Sequence, residues 1–208
     1  MVATWSLSAA SNAVDELYRL LSADERRRAD AFTHSPARRR FVVGRGSLRL
    51  WLAERLGVAA GEVRFEYGPN GKPRLGDAPL EFNLAHSGDL ALCAASGHAV
   101  GVDLEQLRPR KSADALAERW FHPDETARVR AAEDPLAEFY RTWTAKEAAL
   151  KLVGLGVGES LPKIRTPDDP RGGLATGLPT NELGWAECRV APLAVAGFAA
   201  AIALPAKP

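Results

Sequence analysis

Apolar residues recur at helical spacing in three long segments of this chain, and shorter apolar stripes mark two more helices. The predicted helices cover residues 12–33, 37–56, 112–120, a segment beginning near 124, and 135–152. Asn12 is the candidate N-cap of the first, and Pro36 separates it from the second. Gly57 ends the second helix, and Gly154 follows the last.

Short segments with alternating or continuous apolar residues predict β-strands between and after these helices. The predicted strands are 63–67, 80–83, 90–95, 100–105, 185–190 and 195–203. Turn-forming residues predict turns at 68–71 and 86–89, and long loops over 154–179. Each half of the chain places helices before strands. We therefore expect an α+β fold of two similar-sized, pseudo-symmetric lobes, residues 1–99 and 100–208, each with helices packed on a small, mainly antiparallel sheet.

The composition is that of a soluble globular protein with balanced charge. The chain has 27 basic and 26 acidic residues, a formal net charge of +1, which argues against a dedicated nucleic-acid-binding protein. The N-terminus lacks the pattern of a secretory signal, and the longest apolar stretch, 190–204, is too short to span a bilayer. Cys93 and Cys188 are far apart in apolar segments and are expected to be reduced core residues. We expect a cytoplasmic protein.

Two acidic residues alternate on the strand predicted at 100–105. Asp103 and Glu105 are two positions apart, so their side chains share one face of the strand, while Val102 and Leu104 face the other. Because aspartate is a poor strand former, this pair needs an explanation. One is an edge strand with a solvated acidic face. The other is a pair of oxygen ligands for Mg²⁺.

A second set of charged residues lies on the helix predicted at 135–152. Trp143, Glu147 and Lys151 are four residues apart and form one stripe. Glu147 and Lys151 taken alone fit an ordinary surface ion pair. Lys146 adds a second ammonium group beside the same carboxylate, an arrangement that suits a bound phosphate.

Four segments in sequence order resemble the motifs of the 4'-phosphopantetheinyl transferase superfamily. The most specific are residues 101–105, Gly-Val-Asp-Leu-Glu, and residues 143–151, Trp-x-x-Lys-Glu-Ala-x-x-Lys. Residues 82–87, Phe-Asn-Leu-Ala-His-Ser, and residues 71–73, Gly-Lys-Pro, resemble two further motifs. The match is to the monomeric, two-lobed surfactin-synthetase-activating type.

The resemblance implies an enzyme that transfers the phosphopantetheine arm of coenzyme A to a serine of an acyl or peptidyl carrier protein, releasing 3',5'-ADP. It implies Mg²⁺ as cofactor, held by Asp103, Glu105 and Glu147. Glu147 would also act as general base, directly or through water. Lys151 would stabilise the diphosphate and the departing ADP, and Lys146 would add positive charge there.

The resemblance also implies a coenzyme A site in the first half of the chain. His86 would bind the 3'-phosphate, and Ala85 stands where the family often has serine. Arginine can contact phosphate through two parallel donors, which fits the arginines of this set. The remaining implied contacts are Lys72, Pro73 and Arg74 around the nucleotide, Arg40 and Arg45 as phosphate ligands, and Arg28 as a further candidate for the 3'-phosphate.

Two other functions use the same residues. One is a coenzyme A-binding protein without catalytic activity, and the other is a Mg²⁺-dependent nucleic-acid enzyme. If the chain is a phosphopantetheinyl transferase, we expect its partners to be coenzyme A and an apo carrier protein, with no nucleic acid, no membrane and a monomeric state. The sequence does not identify the carrier, although residues 154–179 are a candidate contact surface for it.

Overall fold

The computed structural model describes residues 1–8, 11–68, 72–76, 78–156, 158, 160–179 and 186–207. The helices are α1 (Ser11–Arg19), α2 (Ala23–Asp30), α3 (Ser35–Leu56), α4 (Ala113–Trp120), α5 (Pro123–Ala131) and α6 (Pro135–Leu152). The strands are β1 (Val2–Ser6), β2 (Glu66–Tyr67), β3 (Pro73–Arg74), β4 (Glu81–Ser87), β5 (Leu90–Ser96), β6 (Gly101–Gln106), β7 (Gly173–Thr176), β8 (Glu187–Pro192) and β9 (Phe198–Pro205). Short 3₁₀ helices occur at Ala60–Glu62 and Leu161–Lys163. The predicted α+β class is confirmed.

The first half of the chain is built on a three-stranded antiparallel sheet in the order β1-β5-β4. Helix α3 covers it, and Leu48 and Leu52 of this helix pack against Phe82 of β4 and Cys93 of β5. These four side chains are at most 1% exposed, so they form a closed apolar layer between helix and sheet.

The second half contains a four-stranded antiparallel sheet in the order β6-β9-β8-β7, with α6 lying across it. Small side chains let the helix approach the sheet closely, since Ala148 and Ala149 pack near Ala201 and Ala203. Gly101 of β6 is the tightest point, because a Cβ atom there would lie 2.0 Å from the carbonyl oxygen of Ala148. Helix α6 is thus held at a fixed short distance from β6.

Strands β4 and β6 meet edge to edge between the two sheets, joined by side chains. The Oδ1 atom of Asn83 accepts a hydrogen bond from the backbone N–H of Val102 at 2.8 Å. At the other end, the backbone N–H of Gln106 donates to Oγ of Ser87 at 3.0 Å, and that hydroxyl donates to Oε2 of Glu105 at 3.0 Å. Among the described residues β4 and β6 share no backbone ladder. These side chains join the two halves, together with the apolar cluster that includes Ala85, Val102 and Leu104.

Several predicted element bounds differ from the structure in the first half of the chain. The helix predicted at 12–33 is two helices, separated at Leu20–Ser22 because Ser22 caps α2 and its backbone N–H donates to Glu25. Helix α1 already begins at Ser11, so Asn12 is not its N-cap. Pro36 lies in the first turn of α3, where the missing N–H costs nothing. The predicted end at Gly57 is confirmed, with φ at +67°.

Strand bounds also shift. The predicted strand 63–67 is reduced to Glu66–Tyr67, while β4 runs on through His86 and Ser87, leaving the turn to Gly88 and Asp89. Strand β1 was missed, and the predicted loop 154–179 contains β7 and a 3₁₀ turn. In the predicted turn 68–71, residues 69–71 lie outside the described residues, as does position 185 of the strand predicted at 185–190.

Two simpler expectations are met. Cys93 and Cys188 are both free and buried, and burial raises the pKa of each thiol to about 12. None of the helices in the described ranges has the length and apolar character needed to cross a membrane.

Candidate active site

The two acidic motifs converge where α6 crosses β6. Asp103 and Glu147 are only 5% and 8% exposed, so the solvated edge strand considered for Asp103 is excluded. The Oδ1 atom of Asp103 accepts a hydrogen bond from Nζ of Lys151 at 2.6 Å. Its Oδ2 atom is buried and has no hydrogen-bond partner among the described residues. Glu105 is more exposed, and its Oε2 accepts the bond from Ser87.

These carboxylates strongly influence one another. Burial, helped by the charge of Glu105 and opposed by Lys151, raises the pKa of Asp103 to about 6. Burial, followed by the charge of Asp103, raises the pKa of Glu147 to about 7. Three acidic groups face a single ammonium group, so the site carries an excess of negative charge when they ionise. Such a site favours a cation.

The donor set suits a hard divalent ion. The site's acidic groups offer carboxylate oxygens, and the buried Oδ2 atom of Asp103 is an acceptor that no group in the described part of the chain satisfies. In the described ranges, however, no three His, Cys, Asp or Glu side chains already form a set of metal ligands. Because Mg²⁺ usually keeps waters and substrate phosphate oxygens in its shell, a partial set is sufficient.

Lys72 contacts the end of α6 that carries Lys151. The Nζ atom of Lys72 donates to the backbone carbonyl of Lys151 at 2.8 Å, at the C-terminal end of α6. Burial, opposed by the charge of Glu81 and helped by those of Arg74 and Lys151, lowers the pKa of Lys72 to about 8. Lys72 thus joins the segment before β3 to α6.

Lys146 does not join the carboxylates, contrary to the expectation from its neighbour Glu147. Its side chain is fully buried, with Nζ 2.6 Å from Oε2 of Glu125. The same ammonium group donates to the carbonyls of Leu161, at 2.9 Å, and Ile164. All three of its N–H bonds are therefore used inside the protein, which leaves none for a phosphate. This lysine anchors α6 to α5 and to the segment that follows α6.

A basic cavity of about 590 Å³ lies between α3, the end of α2, β4 and β5. The basic side chains lining it are Arg28, His34, Arg40, Arg45 and His86. No acidic residue belongs to this lining among the described residues. The cavity therefore has the electrostatics of an anion site.

The other predicted coenzyme A contacts differ in how they lie relative to this cavity. Ala85 is 5% exposed and packs in the core between the sheets, so its side chain does not enter the cavity. Arg40 pairs with Asp89 at 2.7 Å on the surface. Pro73 and Arg74 form β3, and with Lys72 they lie outside the described lining of the basic cavity.

Sequence reasoning missed three residues that organise these sites: Glu125, Glu25 and Phe65. Glu125 holds Lys146, and Glu25 and Phe65 hold Arg45. The spacing of Ser22 and Glu25 is a capping-box signal, and it would have placed Glu25 in the first turn of a helix. The partners themselves are distant in sequence, so local patterns do not show the pairing.

The fold and site together define a class of protein: a two-lobed α+β protein with a buried carboxylate cluster and a separate basic cavity of about 590 Å³. Two family models account for nearly the whole chain. The model described as 4'-phosphopantetheinyl transferase, N-terminal, matches residues 3–98, and that of the 4'-phosphopantetheinyl transferase superfamily matches residues 99–203. The chain belongs to the 4'-phosphopantetheinyl transferase superfamily.

Curated relatives agree with this assignment. The chain is 42% identical over 195 residues to the 4'-phosphopantetheinyl transferase HetI of Nostoc sp., covering 89% of this chain and 82% of that protein. It is 31% identical over 172 residues to the 4'-phosphopantetheinyl transferase psf-1 of Bacillus pumilus, covering 81% and 73% respectively. The superfamily, the two-lobed type and the transferase activity predicted from the sequence are confirmed.

Proposed function

We propose that this protein transfers the 4'-phosphopantetheine arm of coenzyme A to a serine of an acyl or peptidyl carrier protein, with Mg²⁺ as cofactor. The observation that carries the site assignment is the burial of Asp103 and Glu147 together, with the Oδ2 atom of Asp103 unpartnered. Buried carboxylates without compensating donors are costly unless a cation neutralises them.

Asp103 and Glu147 would hold the cation, with Glu105 as the outermost of the three carboxylates. When bound, Mg²⁺ supplies neutralising charge to the diphosphate of coenzyme A. The basic cavity between α3 and β4 would hold the nucleotide phosphate, through His86 and the arginines that line it.

Glu147 is placed to accept the proton of the carrier serine, directly or through a water molecule. The serine oxygen then forms a bond to the phosphorus that bears the pantetheine arm. The bond from that phosphorus to the bridging oxygen breaks, and 3',5'-ADP leaves. Lys151, one turn after Glu147 on α6 and 2.6 Å from Asp103 of β6, would stabilise the negative charge that builds up on the leaving group.

The test is to incubate the protein with coenzyme A, Mg²⁺ and a panel of apo carrier proteins, and to measure intact carrier mass. We expect at least one carrier to gain the mass of the phosphopantetheine arm. Glu147→Gln should lower the transfer rate at least about 100-fold while retaining coenzyme A binding. Glu133→Gln, at an exposed position before α6, is the matched control and should transfer normally. Normal transfer by Glu147→Gln would contradict the assigned role.

A further inference from the structure

Glu25 of α2 is a buried acidic residue that contacts two arginines of α3. It is 2% exposed, and its Oε2 atom lies 2.7 Å from Nε of Arg49. Its Oε1 atom lies 3.4 Å from Nε of Arg45, an ion-pair contact without hydrogen-bond geometry, and has no hydrogen-bond partner among the described residues. Arg49 also donates to the carbonyls of Ala60 and Val63, at 3.0 and 2.9 Å, so its position is fixed without Arg45. Two cations share one carboxylate, and Arg49 has two further acceptors of its own.

Arg45 is held in place but is incompletely bonded. Its guanidinium lies over the ring of Phe65, 4.8 Å from the centroid, and 6.0 Å from that of Tyr67. Its side chain is 11% exposed. Its Nη1 atom is buried and has no hydrogen-bond partner in the described part of the chain. A nearly buried guanidinium donor of this kind is satisfied by a water molecule or a ligand, because the described residues provide no acceptor for it.

Arg45 lines the basic cavity, and its position there makes an anion the fitting acceptor. Arg28, Arg40 and His86 line the same cavity, without a carboxylate among its described lining residues. A phosphate monoester presents three acceptor oxygens and up to two negative charges, which matches several converging cationic donors.

We infer that Glu25 is a positioning residue that acts through Arg45 and sets the preference of the cavity for a 3'-phosphorylated adenine nucleotide. The inference rests on the proposed function, since the 3'-phosphate is the group that distinguishes coenzyme A from 3'-dephospho-coenzyme A. Glu25 and the ring of Phe65 fix the guanidinium before the ligand arrives, so that little side-chain freedom is lost on binding. If Glu25 only neutralised Arg45, its removal would strengthen anion binding. The two roles therefore predict effects of opposite sign.

The experiment compares Glu25→Gln, Arg45→Gln and the double variant with the wild-type protein. Transfer kinetics are measured with coenzyme A and with 3'-dephospho-coenzyme A. We expect Glu25→Gln to raise KM for coenzyme A about tenfold, with KM for the dephospho form and kcat for both changed less than twofold. The double variant should be no worse than Arg45→Gln alone, because both substitutions remove the same interaction.

Binding of 3',5'-ADP and 5'-AMP by calorimetry, without carrier or Mg²⁺, separates this inference from the proposed function. Wild-type protein should prefer 3',5'-ADP, and Glu25→Gln should lose most of that preference even if no carrier is modified. Glu54→Gln is the matched control, since Glu54 pairs with Arg55 at 3.0 Å on the exposed face of α3, the helix that carries Arg45. It should keep the wild-type preference.

Loss of Glu25 also leaves Arg49 without its buried counter-ion, so Glu25→Gln is checked for folding by circular dichroism. If it does not fold, Phe65→Leu serves instead, because it removes the ring beneath Arg45 while keeping both charges. A selective loss of 3',5'-ADP binding in either variant supports the inference. Equal losses for both nucleotides, tighter binding of 3',5'-ADP, or additive effects in the double variant would overturn it.

Discussion

Lys146 and Glu147 are neighbours on α6, yet their side chains enter two separate charged clusters. The ammonium group of Lys146 pairs with Glu125 at 2.6 Å beneath α5, and the carboxylate of Glu147 interacts with Asp103 on β6. Consecutive residues on a helix are about 100° apart around its axis, so fixing one fixes the direction of the other. The buried ion pair therefore sets the rotation of the helix that presents the acidic site.

Lys146→Met should destabilise the protein by ~3–5 kcal/mol, because it leaves the carboxylate of Glu125 buried without its partner. Urea unfolding followed by circular dichroism measures the change. Lys111→Met, at an exposed position, should change stability by less than ~0.5 kcal/mol. Combining Lys146→Met with Glu125→Gln should recover part of the loss. Independent, fully additive losses would contradict the pairing.

Gly101→Ala should reduce stability by ~3 kcal/mol or more and should impair transfer, because its Cβ would overlap the carbonyl oxygen of Ala148 at 2.0 Å. Neither backbone can yield without moving α6 away from β6, and that movement would separate Glu147 from Asp103. Thermal unfolding and the transfer assay are the measurements. Gly97→Ala is the control, because a Cβ at that position meets nothing within 4 Å. Equal behaviour of the two variants would exclude a close helix–strand contact.

Stability without Mg²⁺ should decrease as the pH rises through the range from about 4 to about 7. The pKa values of Asp103 and Glu147 are raised to about 6 and about 7 in the folded protein, so the folded state binds more protons than the unfolded state across that range. Protonation of these carboxyl groups stabilises the folded protein fully at pH values below their unfolded-state pKa values. This stabilisation is lost as the pH rises through their folded-state pKa values. The coupled pair should contribute a loss on the order of 2–4 kcal/mol.

This contribution is isolated by subtracting the unfolding free energy of Asp103→Asn/Glu147→Gln from that of the wild type at each pH. The difference should fall with rising pH in chelator and become nearly flat when Mg²⁺ is added. A difference that rises with pH in chelator would show that the two carboxylates are not destabilised by burial.

Asn83→Ala should cost ~1–3 kcal/mol, because it leaves the buried backbone N–H of Val102 without its acceptor at the junction of β4 and β6. Denaturant unfolding gives the magnitude. Ser96→Ala, on β5 away from that junction, is the comparison and should change stability little, since its hydroxyl accepts only an exposed backbone bond from His98. A loss no larger than that of the control would indicate that the junction does not depend on Asn83.

The parts of the fold that follow from local pattern were predicted well. Helix α6 has its predicted bounds, and the alternation around Asp103 placed Val102 and Leu104 in the core, both at most 1% exposed. Local rules worked there because periodicity and burial agree. They failed at Ser22. The apolar spacing there continues as in a single helix, but the capping box of Ser22 and Glu25 starts a new one.

The direction of Lys146 could not be predicted from sequence. A helical repeat places it beside Glu147 but does not say which neighbouring element covers that side of α6. The answer depends on Glu125, 21 positions earlier, and on the carbonyls of Leu161 and Ile164. The role of Glu25 beside Arg45 was hidden for the same reason. In both cases a distant carboxylate decides what a basic side chain does.

The junction of β4 and β6 joins the two halves of the chain by more than polar contacts. Asn83 and Ser87 bond the strands where they share no ladder, and the residues between them belong to one apolar cluster that includes Ala85, Val102 and Leu104. Because this cluster takes residues from both sheets, the two halves should unfold together in one cooperative transition.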